Sequence, residues 1–289
     1  MSSVFPYPGN KSRFAEWILS HFPDHDCYVE VFGGAAGVLA NKPPSHNEVY
    51  NDIDGDLVQF FDVLRERGDE LADWLTDLPY SREMHEKWSD RWYDKGWRPD
   101  DPVQRAGVFY YLRATSFGGK YRYPGGFATS IQRNQARTYD NGIDRLRSFA
   151  DRFSEVVVEH LNWQACIDQY DAWGDGSEDD PRTLLYCDPP YYDTTLRYRH
   201  GQDFDHEAFA SVLNGAESEW VVSYDTVPKP VQKVATTVVQ QGVTSQMGIG
   251  YNDEPATRSE TLLLSFDRDE VQPFVDAQAN LAAFEGGDR

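Results

Sequence analysis

Apolar positions along the 289-residue chain fall into two kinds of pattern. Short unbroken runs stand at YVEVF (28–32), EVYND (48–52), VVVEHLNW (156–163), TLLYCDPPY (183–191), WVVSYD (220–225) and TLLLSF (261–266). Unbroken rather than alternating runs mark strands covered on both faces, as in a parallel sheet. Helix-like segments lie between them, including Arg13 to His21 and His206 to Leu213. This alternation predicts an open α/β sheet.

The pattern changes after the second strand. From Leu57 to Leu146 the stretches LVQFFDVLRERGDELADWL and DPVQRAGVFYYLRATSF repeat at helical period, with few strand signals. A helical insertion over 57–146 is expected, leaving 1–56 and 147–289 as the sheet domain. Trp74, Trp88, Trp92 and Trp97 read as its core. The acidic, glycine-containing stretch Asp171 to Asp180 reads as a surface loop before the fourth strand.

Charge changes the picture more than composition does. Forty-eight acidic residues oppose 27 basic ones, a net charge of −21 spread along the whole chain. Scarce lysine and dispersed aspartate suit a solvated acidic surface in a high-salt cytoplasm. No run of eighteen apolar residues suggests a membrane span, and the N-terminus lacks the basic and apolar parts of a signal peptide. Cys27, Cys166 and Cys187 lie far apart, and the seven histidines show no ligand spacing. Neither a disulfide framework nor a metal site is expected. The protein is expected to be a cytoplasmic monomer.

Three motifs carry chemistry. Asp188-Pro189-Pro190-Tyr191 follows an apolar strand, so it emerges at the carboxyl edge of the sheet, where ligands bind in this architecture. A carboxylate (Asp188) and a backbone carbonyl (Pro189) can accept the protons of an exocyclic amine whose lone pair is delocalised into a ring. Tyr191 offers an aromatic face for an extruded base. The second motif, VEVFGGAAG, runs a strand into a glycine-rich turn at Phe32, Gly33 and Gly34, where backbone can approach a cofactor closely. Asp52 ends the next strand, where an acid meets ribose hydroxyls. Asp54 and Asp56 read as N-terminal acids of the following helix. The third, FPYPGNK, sets Tyr7 and Lys11 before the first strand, with Lys11 facing a carboxylate or a backbone carbonyl.

FPYPGNK, VEVFGGAAG, YNDID, RAGVFYYLRATSFGGKYRYPGGF and YCDPPY occur in the order found in GATC-methylating DNA adenine-N6 methyltransferases, and residues 5 to 266 resemble that family. The resemblance implies a class I S-adenosylmethionine-dependent methyltransferase sheet with a helical DNA-recognition insertion. It implies methyl transfer from S-adenosylmethionine to adenine N6 in double-stranded DNA, within GATC, without a metal. Tyr7, Lys11, Asp52 and Asp188 match the family's S-adenosylmethionine contacts. One departure is alanine at the third glycine of the family's F-x-G-x-G, here Ala36, which is expected to tighten the cofactor pocket. The alternatives are cytosine-N4 methylation and a DNA-binding relative without catalysis.

An acidic protein needs a local basic patch to hold DNA. Between Arg113 and Arg147 seven basic residues stand against Asp140 and Asp144. The expected DNA contacts are Arg113, Lys120, Arg122, Tyr123, Arg133, Arg137 and Arg145, with Arg197 and Arg199 beyond the DPPY motif. By resemblance, Arg122 occupies the position that reads a guanine.

Overall fold

Eight strands make one sheet in the computed structural model, which describes residues 3–117, 125–177, 180–191, 204–244 and 257–274. They are β1 (Cys27–Glu30), β2 (Asn47–Asn51), β3 (Val157–Glu159), β4 (Trp173–Ser177), β5 (Asp180–Cys187), β6 (Glu219–Tyr224), β7 (Thr237–Thr244) and β8 (Thr257–Leu264). Their order is β3-β2-β1-β5-β6-β8-β7, with β4 paired to the start of β5. The first five of that series run parallel, and β8 runs against both of its neighbours.

Consecutive residues explain the unbroken apolar runs. Tyr28, Leu184 and Tyr186 enter one core, while Val29, Leu185 and Cys187 enter another on the opposite face. The first core lies under α1 (Ala15–Leu19), α2 (Gly55–Thr76), α4 (Pro102–Ala114) and α5 (Gln135–Phe153), and α3 (Arg82–Ser89) packs beside α4. The second is covered by α6 (Trp163–Tyr170), α7 (His206–Gly215) and α8 (Lys229–Val234). Helix starts follow their capping residues. Asp54, Ser81, Asp101, Asn134, Asn162 and Asp205 each accept a backbone N–H from the first turn.

The limits expected for the insertion, 57 and 146, fall inside α2 and α5, both of which continue into the sheet domain. Its aromatic residues also share the first core. Phe60 and Phe109 pack edge-on against Phe5 at 5.1 and 5.5 Å, and Phe61 lies 4.2 Å from Tyr50 on β2. Trp92 is buried there, with Trp74, Trp88 and Trp97 packed against it.

Three expectations need correction. Trp173–Ser177, expected as loop, is strand β4, paired antiparallel with the start of β5. Its backbone pairing needs no apolar side chain, so hydropathy was blind to it. The run 156–163 yields only a three-residue strand, because Asn162 turns the chain into α6 as its cap. The helix expected over Arg13 to His21 is confined to Ala15–Leu19. The three cysteines are buried free thiols. Among the described residues no helix is long and apolar enough to cross a membrane.

Candidate active site

Strand order reverses between β1 and β5: from β1 the chain adds β2 and β3 on one side, then crosses back to add β5 and β6 on the other. Such a switch point opens a crevice at the carboxyl ends of the strands. A cavity of about 520 Å³ lies there, lined from β1 by Glu30 and Phe32 to Gly34, from β2 by Asn51 and Asp52, and from β5 by Asp188 and Pro190. Tyr7 and Lys11 close it from the N-terminal side.

The glycine-rich turn is built by hydrogen bonds rather than by packing. Gly33 donates to the Asn51 carbonyl at 2.7 Å, and a Cβ at Gly33 would lie 2.1 Å from the Tyr50 ring, so only glycine fits. Gly34 has φ +51°, where a side chain is strained. Its N–H donates to Asp52 Oδ2 at 2.9 Å, and the Asp54 N–H donates to Oδ1 at 2.8 Å. Burial pushes the Asp52 carboxyl up to about 6 despite these two donors. Ala36 also sits at φ +51° but is fully buried and does not line the cavity. Alanine at this position therefore does not tighten the pocket. It costs backbone strain, roughly 1 kcal/mol.

Asp188 leaves β5 beside Lys11. The Lys11 ammonium lies 2.9 Å from Asp188 Oδ1, donates to the Gly9 carbonyl at 3.3 Å, and also reaches the Tyr191 hydroxyl. Thus it joins a side-chain carboxylate of the chain to a backbone carbonyl. Ser223 on β6 donates to the same Asp188 oxygen at 3.1 Å. Burial raises the Asp188 pKa, and Lys11 works against that shift. Glu260 on β8, only 5% exposed, accepts from the Tyr191 hydroxyl at 3.0 Å and lies 3.5 Å from Lys11. Burial pushes its carboxyl up to about 7. Tyr191 is not among the residues lining the 520 Å³ cavity.

Several site residues escaped the sequence reading. Asn51 is buried and ties three strand ends, donating to the Val31 carbonyl at 2.9 Å and accepting from the Leu161 N–H at 2.8 Å. Trp163 and Phe204 join Phe32 as an aromatic wall, with Phe204 5.7 Å from Phe32 and 5.8 Å from Trp163. Glu30, lining the cavity floor, accepts from the Leu39 N–H at 2.8 Å, and burial pushes it up to about 8.

A family model for D12 class N6 adenine-specific DNA methyltransferases matches residues 7–242. The chain belongs to this family. Its sheet is the class I S-adenosylmethionine-dependent methyltransferase fold, its substrate is DNA, and S-adenosylmethionine is the family's methyl donor. A DNA adenine methylase of Haemophilus influenzae is 24% identical over 276 residues, 90% of this chain and 92% of that protein. The Type II methyltransferase M.CviBI of Paramecium bursaria Chlorella virus NC1A is 26% identical over 199 residues, 66% of this chain and 69% of the other. A DNA adenine methylase of Escherichia coli is 25% identical over 187 residues, 64% of this chain and 63% of the other.

The cations expected to meet DNA divide in this methyltransferase. Arg133, Arg137 and Arg145 are exposed before and along α5. Arg113 corrects the expectation: it is 1% exposed, donates to the Tyr93 hydroxyl and stacks 4.6 Å over the Phe109 ring, so it belongs to the core. Arg147, counted in the basic patch, is held by Asp69 at 3.0 Å and Asp73 at 2.7 Å. Lys120, Arg122, Tyr123, Arg197 and Arg199 lie outside the described residues. The segment carrying the first three has described flanks. Ser116 bridges Phe127, and His85 joins the Thr115 hydroxyl at 2.7 Å to the Gly125 carbonyl at 2.9 Å.

Proposed function

We propose that this protein is a site-specific DNA methyltransferase that modifies adenine N6 within GATC, taking the target base out of the duplex. The observation that carries the reading is Asp188, set by β5 at the cavity rim with its Oδ1 engaged by Lys11 and Ser223. Those two donors hold the carboxylate in one orientation and favour its ionised form, so it can accept a proton of the substrate amino group. The Pro189 carbonyl is the second proposed acceptor. Hydrogen bonds to both draw the nitrogen's lone pair out of the ring and toward the methyl donor.

The cavity suits S-adenosylmethionine by its donor set. Asp52, Phe32, Trp163, Phe204, Asp188 and the buried Glu30 all line it; on this reading Asp52 would meet the ribose, the three aromatic rings the adenine, and the other two carboxylates the cationic end. When bound, that molecule supplies a methyl group already activated by a sulfonium. Tyr7, Lys11, Phe32, Gly33, Gly34, Asp52 and Asp188 are the proposed cofactor residues, and Asp188 to Tyr191 the catalytic ones.

Residues 57–146 are proposed to read DNA although they share the core of the sheet domain. Exposed Arg133, Arg137 and Arg145 would meet phosphates, and Arg122 a guanine of GATC through its planar fork. Two of the similar proteins carry the name DNA adenine methylase, which supports the adenine target. The test is native long-read sequencing of DNA from a methylation-deficient host that expresses the protein. N6-methyladenine at GATC is expected. Methyladenine in another motif refutes the target sequence alone, and N4-methylcytosine refutes the base assignment.

A further inference from the structure

Beyond β6 the strand direction changes. β8 lies antiparallel beside β6, with Tyr224 opposite Thr261, so its early residues lie at the carboxyl ends of the parallel strands. That geometry brings Glu260 to the DPPY motif from 69 residues away in sequence. A buried carboxylate beside a second carboxylate is costly unless a cation and hydrogen bonds offset it, and Lys11 at 3.5 Å and the Tyr191 hydroxyl at 3.0 Å are its partners here.

We propose that Glu260 is a positioning residue of this active site, anchoring the Tyr191 hydroxyl and sharing the Lys11 ammonium with Asp188. The inference rests on the reading of Asp188 to Tyr191 as the base-binding motif. Distances decide between its two contacts. Lys11 already has its carboxylate in Asp188 at 2.9 Å, and Glu260 is farther, at 3.5 Å. The shorter contact of Glu260 is to the Tyr191 hydroxyl, at 3.0 Å. Lys11 and Asp188 are the charged groups that face it, and Tyr191 and Tyr186 are the titratable hydroxyls around it. A tyrosine ring that serves as a stacking surface is held at its backbone end by Pro190. Glu260 holds the opposite end, so the ring plane is fixed before a base arrives. Prior fixing of that kind lowers the ordering cost of binding and sharpens alignment of the reacting nitrogen.

The test compares Glu260→Ala, Glu260→Gln, Tyr191→Phe and the double variant Glu260→Ala/Tyr191→Phe. Duplexes carry either the natural target or 2-aminopurine in its place, whose emission rises on extrusion and is quenched by stacking. Glu260→Ala is expected to lower kcat by up to about a hundredfold, the scale of an ångström of misplacement. KM for the methyl donor stays within about threefold, because the loss is of alignment rather than of uniform binding. Glu260→Gln keeps kcat within about threefold of wild type, since its carbonyl oxygen still accepts from the tyrosine. The double variant loses less than the two single losses combined, because both single variants remove the hydrogen bond between Tyr191 and Glu260, although each also removes a contact with Lys11. Emission of bound 2-aminopurine is brighter in Glu260→Ala than in wild type.

Additive losses in the double variant overturn the proposal. So does an equal fall in Glu260→Gln and Glu260→Ala, which makes the charge rather than the anchor important. Wild-type kcat and emission in Glu260→Ala overturn it as well. No emission change on binding DNA in wild type or in any of the variants marks failure of the base-extrusion reading itself, which is a separate result.

Discussion

Replacing Asp188 by asparagine is the most direct perturbation of the proposed chemistry. The side chain keeps its size, and Lys11 keeps Glu260 as a carboxylate partner at 3.5 Å, so no buried cation is orphaned. Lys11 and Ser223 both donate to Oδ1, so they would hold the amide oxygen in that place. The amide NH₂ must then face the substrate amino group, donor against donor. A lost preorganised contact costs about 10²–10³ in rate, about 2.7–4 kcal/mol, and the reversed polarity places this variant at the upper end. Asp188→Ala, which leaves room for a water to accept instead, is expected to be somewhat less damaged. Single-turnover transfer of a tritiated methyl group to duplex DNA, with enzyme in excess, reads the chemical step. Filter binding should find DNA affinity little changed, since the exposed cations lie on another element. Asp188→Asn within tenfold of wild type would refute the role given to this carboxylate.

The other predictions concern the cofactor, the core and the DNA surface. With its carboxyl pushed up to about 6, Asp52 is ionised above that pH and protonated below it, so donor affinity should fall about tenfold one unit below the midpoint. Asp52→Asn should weaken donor binding by about 1.5–3 kcal/mol and flatten that pH dependence, and a variant that titrates like wild type moves the ribose contact elsewhere. Arg113→Ala should cost stability on the order of 2–4 kcal/mol in urea unfolding with DNA affinity intact once folded, whereas selective loss of DNA binding would return it to the interface. Three phosphate contacts from Arg133, Arg137 and Arg145 predict a slope of about −2.7 in log affinity against log salt, and Arg137→Ala should flatten it by about 0.9. An unchanged slope removes Arg137 from the phosphate contacts.

What could be read from the sequence was the chemistry carried by motifs adjacent to strands. Gly34, Asp52 and Asp188 each follow an apolar strand, and a parallel sheet delivers all such carboxyl ends to one edge, whereas Lys11 reaches that edge from the segment before α1. Glu260, Trp163 and Phe204 were invisible because no local pattern marks them; the turns into α6 and α7 bring Trp163 and Phe204 to the cavity, and the order of strands brings Glu260 to Tyr191. Arg113 misled for a different reason. Residues 106–113 of α4 are all buried, so the helix has no outward face at that point, and helical period cannot tell a buried arginine from a surface one. The acidic hairpin of β4 was missed because its pairing lies in the backbone. Ala36 was misjudged because a sequence position says nothing about which way a Cβ points in a left-handed turn.

The distribution of charge follows from the same packing. Helix α5 buries Tyr139, Ile143, Leu146, Phe149 and Phe153 along one stripe, which leaves Arg137 and Arg145 on the outer side. Arg147 is turned toward α2, where Asp69 and Asp73 hold it. Cations on this helix are therefore of two kinds, those matched by acids of the neighbouring helix and those facing outward. Only the second kind can release counterions from DNA, so the sequence count of five excess positive charges overstates the attraction. With a net charge of −21 over the whole chain, long-range repulsion opposes approach at low salt and is screened at high salt, where the Debye length shrinks to about 3 Å at 1 M. Raising salt thus weakens the short-range contacts and relieves the long-range repulsion together. With Arg133, Arg137 and Arg145 as the proposed phosphate contacts among the described residues and acids dispersed along the chain, the first effect is expected to be small and the second favourable. On the proposed set of contacts, base contacts rather than phosphate contacts are expected to carry the larger share of affinity in concentrated salt.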